Sequence, residues 1–135
     1  MKSRFSPLVK VKKNSMQKSE RFLQKATVNL NSASSALELS YNTLKEIAPP
    51  SRGSMSQMLA SRTLLSSQRE LIKHNQEWVT FAKNQIEQAK AQLKADMIEL
   101  EKFQYLELQE IKQELKKKAM LEAKNLDEVA LMTYM

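Results

Sequence analysis

Large apolar residues recur every seven positions along two long stretches of the chain. In the first stretch one column reads Val9, Met16, Leu23, Leu30, Leu37 and Leu44. Three positions on, a second column reads Lys12, Ser19, Ala26, Ala33, Ser40 and Ile47. In the second stretch Met58, Leu65, Ile72, Val79, Ile86, Leu93 and Leu100 are accompanied by Ser61, Gln68, Asn75, Ala82, Ala89, Asp96 and Phe103. Heptads sustained this long predict α-helices paired along one seam, each alternating a large layer with a small one. The breaker cluster Ala48-Pro49-Pro50-Ser51-Arg52-Gly53-Ser54 predicts a turn. Ser6-Pro7 reads as an N-cap followed by proline at the first helical position. The expected fold is all-α: a single elongated coiled-coil domain over residues 1–135, with helices over about 7–47 and 55–131 and a turn at 48–54.

Antiparallel pairing about that turn places opposite each other residues whose numbers sum to about 105. Large then meets small throughout: Leu44 with Ser61, Leu37 with Gln68, Leu30 with Asn75, Leu23 with Ala82, Met16 with Ala89, and in the reverse sense Ser40 with Leu65 and Ala33 with Ile72. A parallel dimer would stack each column on itself and leave the Ser/Ala layers underfilled, so a monomer is expected. The same register puts Phe5 opposite Leu100, Lys18 near Glu87 and Arg4 near Glu101. The second helix then overhangs the first by about 30 residues, roughly 45 Å. Beyond Phe103 the apolar positions shift to Leu108, Ile111, Leu115, Ala119, Leu126 and Val129, a stutter that locally unwinds a supercoil. An amphipathic overhang with no partner in the chain predicts a partner outside it.

Composition narrows the chemistry. The 135 residues include no cysteine, one histidine (His74) and one glycine (Gly53). Thiol nucleophiles, cysteine or histidine metal clusters and phosphate-cradling glycine loops are thereby excluded. Carboxylate neighbours such as Glu99/Glu101 and Asp127/Glu128 do not face each other on a helix and read as solvated charges. Ser32-Ala33-Ser34-Ser35 has no base beside it, and Trp78 adjoins the Val79 column as packing. No enzyme and no cofactor are expected. No apolar run reaches the ~18 residues of a membrane span, and no leader-like apolar stretch follows the basic start, so the expected location is the cytoplasm.

Net charge is +7, with eight basic residues against Glu20 alone in positions 1–25 and 14 of each sign thereafter. The basic start, with Lys10, Lys12 and Lys13, has four readings: a solvated face, a dock for an acidic protein surface, an anionic membrane surface, or nonspecific nucleic-acid binding. No specific nucleic-acid motif accompanies it. Lys116-Lys117-Lys118 is balanced by Glu107, Glu110, Glu114 and Glu122. Toward the turn, Gln68 and Asn75 occupy core columns. They either fix register or, with Tyr41, Leu64 and Leu71, present a patch to a partner.

The ending Lys124-Asn125-Leu126-Asp127-Glu128-Val129-Ala130, after a short basic start with Phe5, Leu8 and Val9 and a heptad hairpin, resembles the FliJ family of the bacterial flagellar export apparatus. That tail follows the family pattern of lysine, an apolar residue, Asp-Glu, an apolar residue and alanine. The resemblance implies a non-enzymatic stalk of flagellar type III protein export, serving motility and chemotaxis. Such a stalk docks the end carrying both termini into the export ATPase hexamer and regulates it. Its turn end meets the cytoplasmic domain of the membrane export gate, and it escorts export chaperones. It is cytoplasmic, peripheral to the inner membrane at the flagellar base. Carried onto this chain, the ATPase-facing residues are Lys10, Lys12, Lys13, Leu115, Lys124, Leu126, Asp127 and Glu128. The gate-facing residues are Tyr41, Leu64, Gln68, Leu71 and Asn75; Gln68 and Asn75 depart from the family's leucine and histidine. Two alternatives stay open: a basic coiled coil on anionic membrane or nucleic acid, and the equivalent stalk of a virulence-type secretion system.

Overall fold

The computed structural model describes residues 3–47 and 53–134. The chain is an all-α hairpin of two helices, α1 (Ser6–Glu46) and α2 (Met55–Tyr134), packed against each other. The predicted turn residues Ala48, Pro49, Pro50, Ser51 and Arg52 lie outside the described residues. By their contacts the residues divide into two compact units, one of Met1–Lys18 with Lys94–Met135 (unit 1) and one of Ser19–Leu93 (unit 2).

Each helix starts on a side-chain cap. Ser3, rather than Ser6, caps α1: its Oγ accepts a hydrogen bond from the Phe5 N–H at 3.1 Å, and Ser6 Oγ accepts one from the Ser3 N–H at 3.0 Å. This reciprocal pair satisfies amides that have no partner inside the helix. Pro7 falls in the first turn, where its missing N–H costs nothing. At α2 the motif Ser54-Met55-Ser56-Gln57 is a capping box. There the Gln57 N–H donates to Ser54 Oγ and the Ser54 N–H donates to Gln57 Oε1, both at 3.3 Å. Gly53 has an ordinary φ. The space its missing Cβ leaves is taken by that same Gln57 carboxamide.

In unit 2 the heptads pack as their periodicity predicts. The small column is the buried one: Ala33 and Ala82 are 0% exposed, and Ser19, Ala26 and Ala89 are also buried. The large column is half-buried at Leu23, Leu30, Leu37, Leu65, Val79 and Ile86, and Ile72 is buried. Two helices have no third layer to cover a large side chain from outside. Leucines therefore lean over the seam and close it above the alanines.

The register differs from the one read from the turn. Gln68 and Asn75 bond to Ser40, Asn75 to Ala36, and Gln76 to Tyr41. These pair numbers sum to between 108 and 117, centred on about 112. The observed register is thus one heptad removed from 105. It sets Ala33 opposite Val79 and Leu30 opposite Ala82, in place of Ile72 and Asn75. Alternation of large with small repeats every seven residues, so it holds equally well after a slip of seven and cannot choose between the two. Hydrogen bonding chooses. Asn75, 6% exposed, gives its amide hydrogens to Ser40 Oγ and the Ala36 carbonyl, and Gln68 Nε2 donates to the Ser40 carbonyl at 2.9 Å. In the 105 register Asn75 would face Leu30, a buried amide without an acceptor.

Unit 1 has the same offset. Phe5 meets Phe103 with ring centroids 6.5 Å apart, Lys12 Nζ lies 3.6 Å from Glu99, and Arg4 Nε lies 3.4 Å from Glu110. Arg4 therefore pairs with Glu110, not Glu101, and Phe5 with Phe103, not Leu100; Glu87, expected near Lys18, lies 3.9 Å from Lys90 of its own helix. The seam continues as a heptad through Phe103, Glu107 and Glu110, all half-buried, while of the shifted apolar positions Ile111 stays half-buried at its edge and Leu108 and those from Leu115 onward are exposed. From residue 112 to 133 every residue of α2 is exposed. The overhang is roughly 35 Å, about one heptad shorter than expected, as the change of register requires.

Two stability measurements follow. Ala82→Leu inserts bulk where the helices approach most closely and should lower stability by about 1–3 kcal/mol, whereas Leu39→Ala, on an exposed site, should stay within about 0.5 kcal/mol; urea titration followed by circular dichroism distinguishes them. Ser54→Ala removes the α2 cap and should cost about 1 kcal/mol, read as a lowered thermal midpoint.

Candidate functional site

Residues implicated at the terminus-bearing end all belong to unit 1, where the start of α1 is pinned to α2. Ser3, buried, donates its hydroxyl to Glu110 Oε2 at 2.8 Å while accepting from the Phe5 amide. The same carboxylate receives the Arg4 guanidinium. One serine thus caps the helix and ties it to its neighbour. Phe5 and Phe103 pack beneath two cations: Arg4 Cζ sits 5.1 Å from the Phe5 ring centre, and Lys12 Nζ 5.6 Å from that of Phe103.

This divides the three basic residues. Lys12 takes a seam position, half-buried, with its ammonium between Glu99 and the Phe103 ring. Lys10 and Lys13 are exposed on the solvent side of α1, with no ion pair among the described residues. Lys12 is a structural cation; the other two carry the charge this region shows outward.

Past Ile111, α2 carries Leu115, Leu126 and Val129 on one stripe, each more than half exposed. At about 100° per residue, Leu108, Ile111, Leu115, Ala119, Leu126 and Val129 fall within one face roughly 80° wide. Lys124, Asp127 and Glu128 are exposed and point away from that face. The segment therefore offers an apolar ridge backed by charges, with nothing packed on it.

Residues implicated at the turn end belong to unit 2 and do not form one patch. Leu64 and Leu71 are exposed along one flank of the seam. Tyr41 lies on the other flank, where its hydroxyl accepts a hydrogen bond from Gln76 Nε2 at 2.6 Å; Gln76 is about 140° around α2 from Leu71. Between the flanks, the Gln68 and Asn75 amides are spent on α1. Any surface partner at Leu64 and Leu71 meets those leucines directly and Asn75 only through the seam. Farther along the outer face of α2, Trp78 is half-buried beside exposed Phe81, and with His74 and Glu77 they line a shallow open hollow. The sequence sets Phe81 three residues from Trp78 and seven from His74, a spacing that marks a common face.

Among the described residues no group of three His, Asp or Glu side chains could hold a metal ion, and no helix is long and apolar enough to cross a membrane. The site is a pair of surfaces, one of cationic and apolar side chains at the tip of unit 1 and one of leucines on unit 2. Exposed apolar side chains beside charged ones are what recognition between proteins commonly uses.

Comparison with known proteins agrees with that reading. The model of the family described as flagellar FliJ protein matches residues 1–135. Neither the curated proteins nor the solved structures compared with the chain give a match. The chain belongs to the flagellar FliJ family, whose members are stalk components of flagellar protein export.

Proposed function

We propose that this chain is a non-enzymatic stalk that docks the tip of unit 1 into the export ATPase ring and meets the cytoplasmic domain of the export gate through unit 2. The observation that carries the reading is the exposed run 112–133, helical yet unpartnered, with Leu115, Leu126 and Val129 on one stripe. Unpaired, this run leaves its apolar stripe in water, and a hydrophobic groove in a ring would cover it. Lys10 and Lys13, exposed beside it, supply a positive field for an acidic rim, speeding encounter more than holding the complex. Lys124, Asp127 and Glu128 form its polar border.

On unit 2 the gate contact rests on Leu64 and Leu71. Gln68 and Asn75 keep the flank in shape, and Tyr41 reaches a partner only if that partner wraps over both flanks. Chaperone escort fits the same surfaces in alternation, one occupant at a time. The stalk works at the membrane's cytoplasmic face, held there by its partners and not by a span of its own.

Binding by the two ends should separate cleanly. Mixed with the cognate export ATPase, the chain should stimulate hydrolysis and ring assembly. Leu115→Ser with Leu126→Ser should weaken that binding by well over tenfold, since each buried leucine contributes about 1.5–3 kcal/mol, and should leave capture by the gate domain intact. Leu64→Ser with Leu71→Ser should do the reverse. Lys10→Glu with Lys13→Glu should slow association and flatten its salt dependence. An unchanged chain that neither binds nor stimulates the ATPase overturns the proposal.

A further inference from the structure

We infer that unit 2 has a second packing register one heptad from the observed one, and that the Ser40–Asn75 pair is the latch selecting between them. The inference is independent of the proposed function. It begins from the seam. In the observed register Ala33 lies opposite Val79 and Leu37 opposite Asn75; one heptad away, Ala33 lies opposite Ile72 and Leu37 opposite Gln68. Large meets small in both, so apolar packing is nearly indifferent between them.

A second observation shows where slack for the slide is kept. Residues 53–60 are exposed on every side, and Met55, Met58 and Leu59 are 74%, 54% and 52% exposed. The first two turns of α2 have no partner in the observed register. In the alternative, Leu59 comes opposite Glu46 and Ser61 opposite Leu44, so α1 covers α2 from residue 59 instead of residue 66. Eight residues, 47–54, join the helices. Such a connection reaches up to about 3.3–3.6 Å per residue, enough to serve both registers.

What opposes the slide is polar. In the alternative register Asn75 faces Leu30 and Ser40 faces Leu65, so the Asn75 amide loses both acceptors and Gln68 loses the Ser40 carbonyl. A buried amide stripped of its partners shifts an equilibrium by about tenfold or more. In unit 1 the slide moves Arg4 from half-buried Glu110 to Glu101 and also parts Ser3 from Glu110 and Lys12 from Glu99, a cost that is the same with or without the polar contacts of unit 2. Within unit 2 the latch is Ser40 with three residues around it, Ala36, Gln68 and Asn75. A discrete step of one repeat between two packed states is the kind of transition that a partner gripping one helix more tightly than the other biases.

The chain has no cysteine, which makes disulfide trapping clean. Ala33→Cys with Val79→Cys reports the observed register, and Ala33→Cys with Ile72→Cys the alternative, because a disulfide closes only across a Cα separation of about 4.4–6.8 Å. Both reporters are placed in the full chain, with and without Ser40→Ala and Asn75→Ala. Alanine keeps the seam small and favours helix, so the latchless chain should fold, which circular dichroism checks. Oxidation at dilute concentration should close the Val79 reporter at least about tenfold faster than the Ile72 reporter in the latched chain. Removing the latch should raise intramolecular closure of the Ile72 reporter by a similar factor. Two results overturn the inference: equal closure of both reporters with the latch in place, or an Ile72 reporter that gains nothing when the latch is removed from a chain that stays helical. Should the double variant lose helicity, Asn75→Ala alone carries the same expectation, and an Ile72 reporter that fails to gain there overturns it equally.

Discussion

The Asn75 carboxamide, buried against Ser40 and the Ala36 carbonyl, is the interaction on which the pairing of this hairpin depends. Everything else along the seam is periodic, and a periodic seam is satisfied by many alignments. Leucine over alanine contributes most of the burial but says nothing about which leucine sits over which alanine. A buried polar pair is aperiodic, and its cost when mismatched converts a family of alignments into one. From that choice follow the length of the free tip, the half-buried place of Lys12, and the uncovered first turns of α2.

The consequences for function run through the tip. Had the helices aligned one heptad the other way, Arg4 would have met Glu101 and seven more residues of α2 would project. In the observed alignment Ser3 and Arg4 both reach Glu110, so the start of α1 is closed against α2 just where the apolar stripe turns away from the seam. A stripe that leaves its seam at a capped, pinned helix start is presented at a fixed angle. On α1, Lys10 and Lys13 keep their charge outward.

Much of this was legible in the sequence because heptads over six or seven periods leave little room for another fold. The helices, the antiparallel sense and the alternation of large and small all follow from column composition. Helix starts were half-legible: Ser6-Pro7 pointed to the right turn but the wrong serine, since Ser3 becomes the better cap once Glu110 holds its hydroxyl, and the Ser54–Gln57 box was readable and went unread. Register was not legible from pattern alone. The turn argument placed its centre at the breaker cluster, whereas α2 begins before α1 can cover it, and the information needed lay in the hydrogen-bonding match of Asn75 to Ser40.

The candidate surfaces were legible as composition but not as geometry. Leu64, Gln68, Leu71 and Asn75 are near one another in the repeat, and a helical wheel drawn for α2 groups them, with Tyr41 facing them from α1. Packing separates them into two flanks and a core, because the seam that runs between the flanks consumes the amides. The same reasoning bears on Lys12: three lysines within four positions look equivalent as charge, yet 3.6 residues per turn sends one of them into the seam and leaves two on the surface. Where a coiled coil is the scaffold, membership of a binding surface is decided by angle around the helix before residue type. The two leucines of unit 2 and the stripe beyond Ile111 both survive that criterion, and both are apolar surfaces that water leaves unsatisfied. Apolar faces that point outward, on helices whose seam is already closed by alanine and one asparagine, are surfaces whose burial by a partner would be favourable.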